Sequence, residues 1–313
     1  MSNVDPVPGT LHQFSSDPEL TCFEHAVSGG PSSNVVLIIP GLNGSYPPVP
    51  YTRKLSRHIQ QHCPGWTVVE LGGMTSAGAG WGASSVLQDA KEIAQCVTYL
   101  EQVCNKQKIV LMGHSTGCQD AIAYTHLRAQ QPSSASEVAG IILQAPLSDR
   151  EFVLATAPTK VLPLIVTQYP GLTPHPGQTY KDFVDKRLSD LFGTKLGITY
   201  ERWNSLTSKA ESDKITWENE DYFSSDMSSK RWRNVFEPIR QQQTPTLVVL
   251  GGKDEGYARG MDTANKLWQK FKDAAEGLLS AHSLINAESD HAVSDDASRQ
   301  QLFDAVTRFI KDL

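Results

Sequence analysis

Three residues of this chain have the types and the order needed to activate a hydroxyl nucleophile: Ser115, Asp254 and His291. A serine hydroxyl attacks poorly at neutral pH. It needs a base to take its proton and a third group to orient that base. Ser115 is the centre of Gly113-His114-Ser115-Thr116-Gly117, a G-x-S-x-G pentapeptide. The apolar run 109–112 before it reads as a buried strand. Residues 120–129 after it read as a helix, with Ala121, Tyr124 and Leu127 at helical spacing. A sharp strand-to-helix turn lifts its apex side chain above the sheet edge, and flanking glycines avoid the Cβ collisions of such a turn. The bare pentapeptide arises often by chance; the strand and helix around it supply a mechanism.

The partners follow in the chain order Ser, acid, His that loops at one edge of an α/β sheet allow. Asp254 sits in Gly251-Gly252-Lys253-Asp254-Glu255-Gly256, just past the apolar run 246–250. Such a segment is also ordinary turn composition. With the serine motif upstream, Asp254 is expected to be the orienting acid, with Glu255 its main rival and Asp290 a weaker one. His291 is one of nine histidines, and position singles it out: it lies in a loop between the last strand and the last helix. His114 is expected to turn inward as a supporting group. The oxyanion needs two backbone N–H donors. These are expected from Thr116 and from Leu42, within Pro40-Gly41-Leu42-Asn43-Gly44.

The elements that must position these residues are visible as periodicity. Runs 35–39, 66–71, 139–144, 246–250 and 282–287 read as strands, and 51–62, 86–100, 261–271 and 302–313 as helices. Segments 11–14 and 20–27 alternate apolar and polar residues, as edge strands do, and Gly29-Gly30-Pro31 breaks the pattern. Strands alternating with helices predict an α/β domain spanning 1–313, a mostly parallel sheet covered on both faces. Residues 149–242 interrupt that rhythm with frequent proline and glycine, and read as a cap inserted over the sheet edge. Some short helices are expected there, for example over 183–192. The aromatics of this region, among them Trp203, Trp217, Trp232 and Phe236, either form a small core or line a pocket for a bulky substrate. Asn43, Trp81, Tyr222 and Phe223 are the substrate-contact candidates. Lys230, Arg231 and Arg233 read as a solvated basic face.

Composition narrows the class. The chain has 313 residues, 39 % hydrophobic and 20 % charged, enough for a substantial core. A formal net charge of −6 with no long basic run argues against a nucleic-acid partner. No stretch approaches the ~20 apolar residues that cross a bilayer. The polar N-terminus lacks the apolar core of a signal peptide, so a cytoplasmic location is expected. The five cysteines contain no C-x-x-C pair and read as reduced thiols, with Cys118 a packing residue. No glycine pattern marks a dinucleotide site, and neither a metal nor a cofactor is expected.

The strand–Gly113-His114-Ser115-Thr116-Gly117–helix unit, the Pro40-Gly41-Leu42-Asn43-Gly44 loop, Gly251-Gly252-Lys253-Asp254-Glu255 and Ser289-Asp290-His291 together resemble the α/β-hydrolase superfamily. More narrowly, Ile39-Pro40-Gly41-Leu42, Gln144-Ala145-Pro146-Leu147-Ser148-Asp149-Arg150 and Glu220-Asp221-Tyr222-Phe223-Ser224-Ser225-Asp226 look like the fungal intracellular siderophore esterases. That resemblance implies hydrolysis of fusarinine-type hydroxamates, whose esters join ornithine carboxyl to anhydromevalonyl hydroxyl groups. The substrate implied is a small ester that can carry Fe(III). Carried over by motif, Ser115 is nucleophile, His291 base and Asp254 acid. The same residues would also serve a general carboxylesterase, thioesterase, lipase or acyltransferase. A non-catalytic ligand-binding protein on this scaffold is the rival from another class, and the complete Ser, Asp and His set argues against it.

Overall fold

An eight-stranded sheet forms the centre of the molecule. A computed structural model describes residues 6–27, 30, 32–194 and 196–313. Gly29 and Pro31 of the expected break, and the first five residues of the N-terminal stretch, lie outside the described residues. In chain order the first half comprises β1 (Gly9–Ser16), β2 (Glu19–His25), β3 (Asn34–Ile39), α1 (Thr52–His62), β4 (Trp66–Gly73), α2 (Val86–Gln102), β5 (Lys108–His114), α3 (Gly117–Gln130) and β6 (Gly140–Gln144). Then follow the short helices α4 (Asp149–Thr156), α5 (Lys186–Ser189), α6 (Tyr200–Thr207), α7 (Ser229–Val235) and α8 (Glu237–Gln241). β7 (Thr246–Gly251), α9 (Met261–Ala275), β8 (Leu284–Asn286) and α10 (Asp296–Asp312) complete the chain.

The strand order is β1-β2-β4-β3-β5-β6-β7-β8. β1 and β2 pair antiparallel, as does β2 with β4, and every later pair is parallel. This is the mostly parallel α/β fold expected, with the two antiparallel strands at one edge. The apolar runs are continuous because both faces are covered. Along β3, Val35, Leu37 and Ile39 pack into one core with α2, α3 and α9, while Val36 and Ile38 pack into the other with α1 and α10. Successive side chains of a strand point to opposite faces, so one run feeds two layers. The register sets the strand ends level. Ile39 lies opposite Gly113, His114 opposite Gln144, and Gly251 opposite Asn286. The loops that follow these positions therefore open at one sheet edge.

Residues 149–242 do not pack as one layer. Val153, Val161, Leu188, Phe192, Ile198 and Trp203 build a separate cluster with Trp81, and Leu42 and Phe152 pack against it. Tyr222, Phe223, Trp232, Val235, Phe236 and Ile239 instead join the main core beside α3 and α9. Trp232 meets Phe271 of α9 edge-on at 5.1 Å. Only the earlier part of the interruption thus forms a second core. The expected helix over 183–192 is reduced to α5 and a single 3₁₀ turn, ended by Gly193 at φ 68°. The last strand is also shorter than 282–287. Its start is replaced by a turn in which Ser283 Oγ caps the N–H of Val248.

The basic trio is not a uniform solvated face. Lys230 and Arg233 are exposed, facing Asp213 and Glu276. Arg231 is buried and donates to the carbonyls of Ser212, Lys214 and Asp221 and to Asn219 Oδ1. A guanidinium with five donors satisfies a stretch of irregular backbone that no sheet or helix pairs. Two more arginines do similar work: Arg202 meets Glu220 and the Trp81 carbonyl, and Arg150 meets Asp221 and Asp226.

Candidate active site

Ser115 stands between β5 and α3 with φ 55°, a left-handed conformation unfavourable for any residue but glycine. Its N–H donates to the Gln144 carbonyl at 3.1 Å, and its own carbonyl accepts from Cys118 N at 2.9 Å. The turn closes only because its flanks lack side chains. A Cβ on Gly113 would lie 2.3 Å from the Gly117 carbonyl oxygen, and one on Gly117 would lie 2.5 Å from the carbonyl oxygens of both Ile39 and Pro40. A Cβ on Gly41 would lie 2.8 Å from Ser115 Cβ, so the loop after β3 passes directly beside the serine.

Asp254 follows β7 and is buried, 2 % exposed. Its carboxylate lies 3.0 and 2.9 Å from His291 Nδ1, and Oδ1 also accepts the Gly256 N–H at 2.8 Å. A carboxylate accepts, so Nδ1 carries the hydrogen and Nε2 keeps its lone pair. The two rival acids have other partners. Glu255 Oε2 accepts the backbone N–H of His291 at 3.0 Å, and Asp290 Oδ1 accepts the N–H of Ser294 at 2.8 Å. Burial opposes charge on the His291 ring, but the hydrogen bond and charge of Asp254, followed by Glu255 and Asp149, outweigh it. The net effect raises the ring's pKa above its ordinary value.

Behind the loop, His114 is neutral. Burial, then the nearby His291, push its pKa down to about 3, against the hydrogen bond that its ring donates to Gln144. The His114 Nδ1–Gln144 Oε1 separation is 2.5 Å, and Tyr51 donates its hydroxyl to the same oxygen at 2.8 Å. The His114 and His291 rings lie 4.9 Å apart. His114 therefore turns inward and packs under the second histidine. Gln144, at the end of β6, reaches both: Oε1 accepts from His114, and Nε2 donates to the His291 carbonyl at 3.5 Å.

Leu42 lines the cavity that Ser115 faces, and Thr116 follows the serine directly in the chain. Thr116 is the residue before α3, and Leu42 follows β3 in the turn closed by Gly44 N to Gly41 O. Among the described residues neither N–H meets an acceptor. Cys118 is buried, its Sγ 3.3 Å from the Gly113 and Gln144 carbonyls, where it packs the underside of the turn.

A cavity of about 290 Å³ opens over Ser115 and His291, with Leu42 and Asn43 on its wall. Asn43 is fixed in place, donating Nδ2 to the Phe192 carbonyl at 3.1 Å and accepting from Trp81 Nε1 at 2.8 Å. Trp81 is thus behind the wall, 1 % exposed. Tyr222 and Phe223 are corrected outright. Both are fully buried in the core beside α3 and α9, away from the cavity, because their segment packs on the sheet helices. The apolar wall comes instead from Leu147, Phe152, Leu191 and Phe192, and Asp149 and Glu255 add two carboxyl groups. Leu147 and Asp149 were reachable from sequence, since they directly follow β6 at the sheet edge that carries Ser115. Leu191 and Phe192 were not, because nothing local says which aromatic of an irregular region turns toward a distant loop.

The fold is the α/β-hydrolase fold. Residues 1–311 match the model of a family described as "Protein of unknown function (DUF1749)", and the chain belongs to that family. It is 27 % identical over 332 residues to the fusarinine C esterase sidJ of Aspergillus fumigatus, covering 93 % of this chain and 91 % of that one. It is 26 % identical over 317 residues to esterase AN6793 of Emericella nidulans, covering 87 % and 82 %. Its fold superposes on the siderophore hydrolase EstB from Aspergillus fumigatus with a TM-score of 0.78 at 24 % identity, covering 99 % and 98 %. Est1E from Butyrivibrio proteoclasticus, solved with ferulic acid bound, superposes with a TM-score of 0.60 at 13 % identity, covering 96 % and 98 %.

Proposed function

We propose that this protein is a serine esterase acting on fusarinine-type hydroxamate siderophores inside the cell, releasing iron by cutting their ester bonds. Ser115 Oγ attacks the ester carbonyl while His291 Nε2 takes its proton. Asp254 holds the ring and stabilises the imidazolium as it forms. The Leu42 and Thr116 amides receive the oxyanion, a role in which one donor is worth ~3–4 kcal/mol of barrier. His291 then protonates the leaving alkoxide, and afterwards activates the water that hydrolyses the acyl-enzyme.

The supporting observation is the shared cavity of Ser115 and His291 with the Asp254 carboxylate on Nδ1. The substrate class draws on the named relatives, which are esterases, one of them for fusarinine C. A cavity of about 290 Å³ suits one ester arm rather than an entire cyclic siderophore. In this reading the second core formed by residues 152–206 is a cap over the arm.

The test is mass-spectrometric product analysis on a panel of ferric and iron-free siderophore esters, simple acyl esters and acyl-CoA. Linear hydroxamate fragments are expected from the siderophores, with Ser115→Ala reducing turnover on the order of 10⁴–10⁶-fold. A fluorophosphonate should label Ser115. Undiminished turnover by folded Ser115→Ala would overturn the mechanism, and cleavage of acyl-CoA alone would overturn the substrate class.

A further inference from the structure

The loop after β3 is held to the second core by the side chains at its corner. Gly41 to Gly44 form a tight turn, closed by the Gly44 N–H on the Gly41 carbonyl at 3.0 Å. Asn43 takes its third position with φ 61°. That left-handed conformation suits glycine, and asparagine or aspartate better than other side chains. Asparagine alone of these adds an amide, a donor and an acceptor in one group. Both are in use here: Oδ1 accepts from Trp81 Nε1 at 2.8 Å, and Nδ2 donates to the Phe192 carbonyl at 3.1 Å.

The two partners are themselves fixed. The Trp81 and Phe192 rings meet edge-on at 5.7 Å, and Phe192 meets Trp203 of α6 in the same way at 5.9 Å. The Trp81 carbonyl accepts from Arg202 Nε at 3.1 Å, and Arg202 is paired with Glu220. Leu42, the residue before Asn43, packs against the same core. At the start of the turn, Gly41 lies against the serine, where a Cβ would be 2.8 Å from Ser115 Cβ. One short turn therefore meets Ser115 with its first residue and the second core with its next two.

We propose that Asn43 is a positioning residue: its side chain ties the turn that carries the Leu42 amide to the second core, so that packing of this core sets oxyanion stabilisation at Ser115. This rests on the esterase reading and deepens it. The Leu42 N–H belongs to the peptide between Gly41 and Leu42, inside the turn. A turn with glycine at both ends has little stiffness of its own, so its direction depends on what its corner is tied to. An oxyanion donor must stand roughly 2.7–3.1 Å from the developing charge. A displacement of about 1 Å costs on the order of 10²-fold in rate. Asn43 acts through Leu42, as the part that holds it in place.

The experiment uses the full chain with p-nitrophenyl acetate and a fluorophosphonate. Asn43→Gly keeps the left-handed turn and removes the clamp. Trp81→Phe keeps an aromatic ring and removes the N–H. In each, kcat is expected to fall about ten- to hundredfold with KM within about threefold of wild type, because the donor acts on the transition state rather than on the bound ester. Fluorophosphonate labelling of Ser115 should slow by a similar factor, since attack at phosphorus also places charge on an oxygen that the same amides receive. The acid limb of the pH–rate profile should not move, because Asp254 and His291 are untouched. The double variant should be no slower than the slower single one, as for two breaks in one linkage. Should Asn43→Gly fail to fold by circular dichroism, Asn43→Asp is read the same way, since it keeps the acceptor for Trp81 and loses the donor to Phe192. An unchanged kcat in the folded Asn43 variant overturns the proposal, as does a rise in KM alone. If wild type neither hydrolyses the ester nor is labelled, or if Ser115→Ala matches wild type, the esterase reading itself has failed, and the proposal with it.

Discussion

At the scale of single residues, the site is a competition among neighbouring acids that geometry decides. Asp254 and Glu255 are adjacent in sequence, yet one holds the His291 ring and the other its backbone N–H. The ring's pKa is raised because the Asp254 hydrogen bond and charge outweigh burial. A base works unprotonated, so kcat/KM is expected to fall as pH drops through a value above the ordinary histidine pKa of about 6.5. Asp254→Asn removes the carboxylate and leaves burial, which acts the other way. The acid limb should then move to lower pH, with kcat reduced on the order of 10⁴, as for the same change in serine proteases. A pH–rate profile of the variant checks this, and a limb that stays in place would count against Asp254 as the orienting group. Which of the two acids faces the histidine was a ranking in sequence, because side-chain direction in a turn depends on backbone angles that neighbouring residue types do not reveal.

At the scale of elements, the strand–turn–helix around Ser115 was legible because every part of it is local. The apolar run, the glycines and the helix are consecutive, and their sterics are set by close neighbours. One consequence is a sharp test. Gly117→Ala places a Cβ 2.5 Å from two backbone oxygens, which cannot swing aside as a side chain would. It is expected to cost about 1–3 kcal/mol of stability, read as a lower Tm, and to lower activity by displacing the Pro40–Leu42 loop. A variant with unchanged Tm and turnover would show that the turn has slack that these distances deny. The helices α4, α6, α7 and α8 escaped the periodicity, since each is eight residues or fewer. A single turn or two cannot display a 3.6-residue pattern, and their apolar residues face different cores.

At the scale of the whole molecule, several acids are buried together under the second core: Asp89, Asp120, Asp149 and Glu220, with Arg202 among them. Asp149 has a stability consequence of its own. Its folded-state pKa of about 8 lies above the unfolded value of about 3.9. The folded protein keeps a proton that the unfolded chain has lost. The contribution is fully present below the unfolded value and is lost as pH rises through about 8. Tm is therefore expected to carry a downward slope between about pH 4 and 8 that levels off above about 8, and the slope should be shallower in Asp149→Asn, which cannot ionise. Calorimetry across that range measures it, and an equal slope in the two proteins would refute the assignment. None of this burial was visible in sequence, where Asp149 and Glu220 lie far apart in an irregular region.

The sequence by itself determined the mostly parallel sheet, the turn that carries Ser115, and the loops that carry Asp254 and His291. Those features depend on short-range sterics and on the alternation of apolar residues, which the chain displays one strand at a time. Tertiary structure alone decided what surrounds the serine. It sent Tyr222 and Phe223 into the core beside α3 and α9, and set Trp81 behind Asn43. It also brought Asp149, Phe152 and Phe192 to the cavity. In a region without regular strands or long helices, only packing against distant elements selects which face each residue presents.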